Sequence, residues 1–319
     1  MNDNTPQTPA ASDTLSGVER LIAHVESMEP VPMAVVHPCD ALSLGGALDA
    51  WRAGLIQPVL VAPEAKLREV ADQAKLDLAN CPIVDVSHSH AAAAEAVALA
   101  ARGEVRALMK GSLHTDELLG AVVSTASGLR TERRISHCFV METAAYPRPF
   151  IITDAAINIA PDLLCKADIV QNAIELTQAL GVKQPKVAIL SAVETVNPRM
   201  QSTLDAAALC KMADRGQITG GVLDGPLAFD NAVSPEAARV KGIHSPVAGQ
   251  ADVLVVPNLE AGNMLAKQLE FMGQADMAGI VMGARVPIVL TSRADSRRTR
   301  LASCAIALLL AERYRLSPP

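Results

Sequence analysis

A serine and an arginine at the end of an apolar segment form the part of this sequence best suited to bind an anion. The stretch PIVLTSRADSRRTR starts as a strand pattern and places Ser292 and Arg293 directly after it. A guanidinium group matches phosphate or carboxylate with two parallel hydrogen bonds. Asp295 or Ser296 can cap a helix over roughly 297–313, whose first N–H groups also attract negative charge. The other arginines at the start of this helix are expected to be solvated: Arg297, Arg298 and Arg300.

Two further segments place polar side chains where a predicted strand ends. In LMKGSLHTDELL, Lys110 could hold a phosphate as a point charge, and Gly111 could let the backbone approach a ligand closely. In PNLEAGNMLAKQLEFM, a strand leads into a helix that bears Asn263 and Lys267, and Asn263 could donate to a carbonyl or a phosphate. Ligand sites in α/β proteins collect at such strand ends. These four residues are therefore candidates for substrate binding.

An aspartate pair brackets a Gly-Pro turn in LDGPLAFDNAVS. Asp224 and Asp230 could serve as a base, as metal ligands or as turn caps, and the local pattern does not choose between these roles. His88 and His90 in SHSH have no third ligand nearby. The chain contains neither HExxH nor GxGxxG after a strand, so the sequence offers no metal or dinucleotide fingerprint.

The composition excludes several classes of protein. Aromatic residues make up 2% of the chain and its net charge is -6, which disfavours nucleic-acid binding through stacked bases or phosphate backbones. The six cysteines form no CxxC pair and are typical of reduced thiols in a cytoplasmic protein. The longest apolar run, LASCAIALLLA, is too short to span a bilayer and indicates a core helix that buries Cys304. We therefore expect neither nucleic acid nor a membrane as a partner.

Short apolar runs alternate with helical patterns along the chain. Residues 1–16 are polar and aperiodic, which predicts a disordered tail, and order is expected from Gly17 onward. The alternation predicts an α/β protein with parallel layers, and the near-continuous apolar strands predict sheets covered on both faces. The predicted strands are 33–38, 58–63, 83–86, 106–111, 137–142, 149–154, 186–192, 221–226, 252–258, 279–283 and 286–292.

Several long motifs occur together in one order, among them KGSLHTDELL, IITDAAINIAPDLLCKADIVQNAIEL, GGVLDGPLAFDNAVSPEAARVKGIHSPVAGQADVLVVPNLEAGNMLAKQLEFM and IVLTSRADS. They resemble the phosphate acetyltransferase and phosphate butyryltransferase family over roughly 30–319. The resemblance implies acyl transfer between coenzyme A and inorganic phosphate, with acyl-CoA, phosphate and acyl phosphate as ligands. It also implies a homodimer or larger assembly that needs no metal or nicotinamide.

The resemblance further implies an architecture and a set of roles. The expected fold is α/β, with two α/β lobes around a cleft, like isocitrate and isopropylmalate dehydrogenases. The first lobe would comprise 17–149 plus 288–319, and the second 150–287. Arg293 would grip phosphate and Ser292 would donate a hydrogen bond to it. The residues expected to hold the other parts of the substrates are Lys110, Gly111, Asp224, Asn263 and Lys267.

One position departs from the acetyl-specific members of the family. Those members carry an aspartate, proposed as the general base, seven residues after the serine, whereas this chain has Thr299 there. The nearby carboxylate is Asp295, and the SRADS form matches the butyryl-type branch. The acyl group, acetyl or butyryl, therefore stays open, and Asp295 or Asp230 is expected to accept the thiol proton.

Two other classes of function remain as alternatives. One is a metal- and NAD-dependent decarboxylating dehydrogenase on the related fold, which would use Asp224 and Asp230 as Mg²⁺ ligands. The other is a non-catalytic domain that senses acyl-CoA. The Ser292-Arg293 pair favours the transferase over the sensing domain.

Overall fold

A computed structural model describes residues 17–78, 80–292 and 295–319. The predicted tail 1–16 and Arg293 lie outside the described residues. Within those ranges the chain forms eleven strands, which confirm the eleven predicted from the sequence. They are β1 Val31–Val36, β2 Ile56–Ala62, β3 Ile83–Asp85, β4 Ala107–Lys110, β5 Ser136–Glu142, β6 Phe150–Thr153, β7 Lys186–Leu190, β8 Val222–Leu227, β9 Val253–Val255, β10 Asp276–Met282 and β11 Ile288–Val289.

The described ranges also contain eleven helices. They are α1 Gly17–Val25, α2 Ala41–Arg52, α3 Glu64–Ala74, α4 Ser89–Ala101, α5 Thr115–Val123, α6 Leu163–Ala179, α7 Gln201–Asp214, α8 Phe229–Val233, α9 Pro235–Val240, α10 Leu259–Phe271 and α11 Arg297–Leu316. None of these helices is long and apolar enough to cross a membrane.

The strands form one mixed sheet in the order β3-β2-β1-β4-β11-β10-β5-β6-β9-β7-β8. The expectation of purely parallel layers is wrong at three pairings, because β5 runs antiparallel to β6 and β10, and β10 runs antiparallel to β11. The connections 143–149 and 283–287 hold no helix and are too short for a parallel crossover. The division into lobes 17–149 plus 288–319 and 150–287 stays a prediction.

Three reversals of direction give the sheet two parallel sets that point opposite ways. Strands β1 to β4 and β11 form one set, and β6 to β9 form the other. We call the edge with the carboxyl ends of β1, β4 and β11 the Ser292 edge. The edge with the carboxyl ends of β6, β8 and β9 is the Asp224 edge.

Helices cover both faces of the sheet, as the apolar strands predict. On one face α2, α6 and α11 share a single apolar cluster with β1 and β9. On the other face α4 and α5 cover the first set of strands, while α8 and α10 cover the second. The run that includes Cys304 is the core of α11, and the thiol of Cys304 is fully buried. All six cysteines are free, as expected.

Candidate functional site

Three chain segments lie side by side at the Ser292 edge, because β4 pairs with both β1 and β11. The segment after β4 continues the pairing beyond the strand itself. The Gly111 N–H donates to the Val36 carbonyl over 2.9 Å, and the Ser112 N–H donates to the His37 carbonyl over 2.9 Å. The ends of β1 and β4 are therefore fixed to each other, and Ser292 follows the neighbouring strand.

Gly111 makes a close backbone contact that the sequence analysis did not expect. A Cβ at this position would lie 2.6 Å from the His37 carbonyl oxygen, and still closer to that of Val36. Real Cβ atoms do not approach oxygen this closely, so only glycine fits. Within the described residues the close approach is to the backbone of β1. The expected approach to a ligand stays a prediction.

The side chain of Lys110 also stabilises the loop that follows β4. Its Nζ donates to the Gly111 carbonyl over 3.2 Å and to the Leu113 carbonyl over 3.1 Å. The ammonium group is therefore fixed at the carboxyl end of β4. This location agrees with the expected phosphate contact, which itself stays a prediction.

Asp295 braces the backbone at Ser292. Its Oδ2 accepts a hydrogen bond from the Ser292 N–H over 2.7 Å, and its own N–H donates to the Ser292 carbonyl over 3.2 Å. The residue is 7% exposed, and its Oδ1 is buried without a hydrogen-bond partner. Burial raises the pKa of this carboxyl, while the Ser292 N–H, Lys267 and Arg300 oppose the rise.

Helix α10 brings Lys267 to this loop. The helix begins at the Asp224 edge after β9 and runs back along the sheet, so its last turns reach the Ser292 edge. Both Lys267 and Glu270 act electrostatically on Asp295, and their side chains form an ion pair of 3.0 Å with each other. The structure thus brings together Ser292, Asp295 and Lys267, three of the residues predicted for the site.

Helix α11 starts as predicted, with Ser296 as its N-cap. The Ser296 Oγ accepts from the Thr299 N–H over 3.0 Å, which satisfies one of the unpaired donors of the first turn. The expectation that the nearby arginines are solvated is confirmed for Arg297, whose side chain is 66% exposed, whereas Arg298 and Arg300 each have a buried Nε atom. Arg297 Nε lies 2.7 Å from Asp49, and Arg298 Nη2 lies 3.1 Å from Asp276.

Arg300 passes through a gap that a glycine leaves in α2. A Cβ at Gly46 would lie 2.8 Å from Arg300 Cδ and 3.2 Å from its Nε. The Arg300 guanidinium acts on Asp295, and its Nε is buried without a hydrogen-bond partner. Arg300 therefore adds positive charge close to the Ser292 loop, which the sequence analysis did not anticipate.

Three other predicted residues, Asn263, Asp224 and Asp230, have partners outside the Ser292 loop. Asn263 donates its amide to the Ala155 carbonyl over 3.1 Å. The Asp224 Oδ1 accepts from the Gly225 N–H over 2.8 Å, and Asp230 is exposed, 3.8 Å from the Lys241 ammonium. No cluster of three possible metal-ligating side chains occurs in the ranges that the structure describes. The binding or catalytic roles of these three residues stay predictions.

His37 and Ser112 are site residues that the sequence analysis missed. The His37 Nδ1 lies 3.1 Å from the Ser112 Oγ, and this Oγ lies 2.8 Å from the His37 carbonyl oxygen. His37 directly follows β1, just as Ser292 and Lys110 stand at the ends of their strands. That position was the available signal, and it was used for Lys110 and Ser292 but not for His37.

Comparison with known proteins places these features in context. The family model described as "Phosphate acetyl/butaryl transferase" matches residues 89–308. A phosphate acetyltransferase of Rhizobium meliloti is 65% identical over 94% of this chain and 95% of its own. A phosphate butyryltransferase of Clostridium acetobutylicum is 41% identical over 93% of this chain and 99% of its own. The crystal structure of a branched-chain phosphotransacylase from Enterococcus faecalis V583 has a TM-score of 0.78 at 33% identity, covering 88% of this chain and 99% of its own.

Proposed function

Because the chain belongs to the phosphate acetyl/butyryl transferase family, we propose that it transfers an acetyl group between coenzyme A and inorganic phosphate. The choice of acetyl rests on one comparison. The relative that is 65% identical is named an acetyltransferase, whereas the butyryltransferase is 41% identical. The chain is an acyltransferase in either case.

The anion site of this proposal is the loop of Ser292 and Arg293. The hydrogen bond from the Ser292 N–H to Asp295 supports it, because this contact holds the serine at the carboxyl end of β11 and the start of α11. The Ser292 hydroxyl donates to the phosphate, and Arg293 grips it through two parallel hydrogen bonds. Lys110, Lys267 and Arg300 raise the positive potential around it.

In the direction that forms acetyl-CoA, the thiolate sulfur attacks the carbonyl carbon of acetyl phosphate. A C–S bond forms, the C–O bond to phosphate breaks, and phosphate leaves with the electron pair. Donors held in place before the reaction stabilise the charge on the leaving phosphate. Holding both substrates in line supplies much of the rate, since orientation alone is worth about 7–11 kcal/mol.

Asp295 has a positioning role in this scheme. Its Oδ2 is engaged by the Ser292 N–H, so the carboxylate orients the serine that meets the phosphate. The sequence-based choice of the thiol base, Asp295 or Asp230, has no test in the structure. Asp230 lies at the Asp224 edge and is exposed, so it is the weaker of the two within one chain.

The wider architecture is part of the proposal. Two lobes facing across a cleft, like those of isocitrate and isopropylmalate dehydrogenases, agree with a sheet whose two parallel sets point opposite ways. A homodimer or larger assembly and a cytoplasmic location are proposed with it. Coenzyme A and phosphate are substrates, and no further cofactor is proposed.

Release of free coenzyme A tests the proposed reaction. Acetyl-CoA or butyryl-CoA is incubated with and without phosphate, and the released thiol is followed with a thiol reagent. We expect phosphate-dependent release from both, with the larger kcat/KM for acetyl-CoA. Faster release from butyryl-CoA would overturn the choice of acetyl. No release from either would leave the sensing domain or the dehydrogenase, which NADH absorbance with hydroxyacids and Mg²⁺ would distinguish.

Replacing Gly46 by alanine tests the contribution of Arg300. The added methyl group would displace the Arg300 side chain, which is flexible, so the fold should tolerate it. We expect kcat/KM for phosphate to fall roughly fivefold, since moving one nearby charge away costs on the order of 1 kcal/mol. Steady-state kinetics at varied phosphate concentration measures the change.

Gly45→Ala is the matched control, one residue away in the same helix. Its added Cβ would meet only Leu76 Cδ1, at an ordinary 3.9 Å. We expect unchanged kinetics and a slightly more stable protein, because alanine favours the helix by about 0.5–1 kcal/mol over glycine. Equal losses in both variants would show that the effect belongs to helix α2 and not to Arg300.

A further inference from the structure

The arrangement of His37 and Ser112 has no use in the scheme above. Ser112 lies on the loop that Lys110 and Gly111 form after β4, and His37 lies at the end of the adjacent strand β1. Resting on the proposed acyl transfer, we propose that His37 is the general base that accepts the proton of the coenzyme A thiol.

The hydrogen bonds of Ser112 determine which nitrogen of His37 carries the proton. The Ser112 hydroxyl donates to the His37 carbonyl over 2.8 Å, so its hydrogen is already used. The same Oγ accepts from the Cys39 N–H over 3.3 Å. The contact of 3.1 Å with Nδ1 must therefore have Nδ1–H as the donor. The neutral ring then carries its lone pair on Nε2.

The Nε2 atom is open to a substrate. It has no hydrogen-bond partner in the part of the chain that the structure describes, and it is not among the buried polar atoms without partners. The residue as a whole is 9% exposed. In a catalytic histidine, one ring nitrogen is usually held by a hydrogen bond, and the lone pair of the other nitrogen is accessible to the substrate.

The backbone of His37 is held in an unusual conformation. Its φ is 53°, in the left-handed region that costs an ordinary residue roughly 1–2 kcal/mol. The pairing of Gly111 and Ser112 with β1 maintains this conformation. Strained backbone of this kind is concentrated at functional sites, and here it sets the direction in which the ring projects.

The location of His37 suits a thiol that attacks an acyl group held at Ser292. Strand β4 lies between β1 and β11, so the two strand ends are about 10 Å apart. An acetyl phosphate gripped at Ser292 spans part of this distance, and the sulfur that attacks its carbonyl carbon lies beyond it. In the proposed arrangement the thiol approaches the acyl group from the side of His37.

The ionisation of His37 agrees with this role. Burial lowers its pKa below 6.5, as does Lys66 on α3, while Glu117 on α5 and Asp40 before α2 raise it. The ring is therefore neutral at pH 7 and can accept a proton.

The proposed step conserves atoms and charge. The S–H bond breaks as the C–S bond forms, and the proton moves to Nε2 to give an imidazolium ion. Phosphate leaves with the electrons of the C–O bond, and the imidazolium proton then passes to water. In the reverse direction the imidazolium returns a proton to the departing coenzyme A thiolate.

Two substitutions remove the base without changing the backbone conformation. Asparagine tolerates positive φ, and its amide can donate to Ser112 as Nδ1–H does, so His37→Asn keeps the hydrogen bond. Glycine also suits this φ, and His37→Gly leaves space for free imidazole. We expect each to lower kcat/KM for coenzyme A with acetyl phosphate about 10²- to 10⁴-fold, the usual contribution of a general base.

Imidazole and pH separate a base from a structural residue. Added imidazole should restore a large part of the activity of His37→Gly, with little effect on the wild type. In the wild type, log(kcat/KM) should fall with slope one below a pKa lower than 6.5, because the base is lost on protonation. The His37→Asn variant should lack this decline. His24→Gln, at an exposed histidine of α1, is the control and should be unchanged.

Several results would overturn the proposal. One such result is a His37→Asn variant with the same kcat/KM as the wild type. Another is a fall in kcat/KM at low pH that persists in His37→Asn and is abolished by Asp295→Asn, which would make Asp295 the base. If kcat/KM of the wild type fell at low pH with a pKa near that of a free carboxyl, the proposal would also be overturned, even if neither variant folds. A His37→Gly variant that folds but does not respond to imidazole would assign His37 a structural role. An inactive wild-type protein would instead overturn the proposed function.

Discussion

The variant Arg293→Ala is expected to lower kcat about 10²- to 10³-fold in both directions, the usual effect of removing one donor to a developing anion. Arg293 directly follows Ser292 in the sequence, and the Ser292 N–H donates to Asp295 over 2.7 Å. Because the phosphate is gripped before as well as after acyl transfer, the KM for phosphate should rise together with the fall in kcat.

Steady-state kinetics with varied phosphate and varied acetyl-CoA separates the two substrates. The KM for acetyl-CoA should change far less than that for phosphate. The matched control is Arg297→Ala, which removes an arginine of the same segment whose side chain is 66% exposed and pairs with Asp49. Such surface pairs contribute about 0–1 kcal/mol, so activity should stay within twofold of the wild type. Unchanged phosphate kinetics in Arg293→Ala would rule out its anion role.

The variant Gly111→Ala is expected to have the largest effect on stability. Its methyl group would collide with the carbonyl oxygens of Val36 and His37, which are backbone atoms at the end of a central strand and cannot move aside singly. We expect a loss of more than about 2 kcal/mol in the free energy of unfolding, within the range of severe backbone and packing defects. Urea unfolding followed by circular dichroism measures it.

Activity should fall with stability in Gly111→Ala, because the collision separates the end of β4 from that of β1 and displaces both Lys110 and Ser112. The control is Gly120→Ala in helix α5, where an added Cβ meets no atom within 4 Å. That variant should be more stable by about 0.5–1 kcal/mol. A Gly111→Ala protein as stable and active as the wild type would show that the two strand ends are not fixed to each other as described.

Much of the fold could be predicted from local sequence. The eleven strands were found because a strand covered on both faces is a short apolar run, which is visible without knowledge of its neighbours. The start of α11 was found for a similar reason, since a serine cap such as Ser296 acts on the N–H group three residues later. The burial of Cys304 followed from the apolar run around it.

The grouping of residues at the site depended on the direction of each strand. Lys267 lies close enough to act electrostatically on Asp295 because α10 runs back from the opposite edge of the sheet. The spacing of residues in the sequence does not show that the two side chains are near each other. Asn263, one turn earlier on the same helix, instead donates its amide to the Ala155 carbonyl.

By itself, therefore, the sequence determined the elements, the helix cap and, through its motifs, the family. Only the tertiary structure decided which strand ends share an edge, because three antiparallel pairings reverse the sheet between Ser292 and Asp224. Likewise only the structure showed His37 beside Ser112, since their hydrogen bonds join residues far apart in the chain. Local sequence patterns depend on interactions between residues close together in the chain. The site is formed by strand pairing between residues far apart in the chain, and local patterns do not show this pairing.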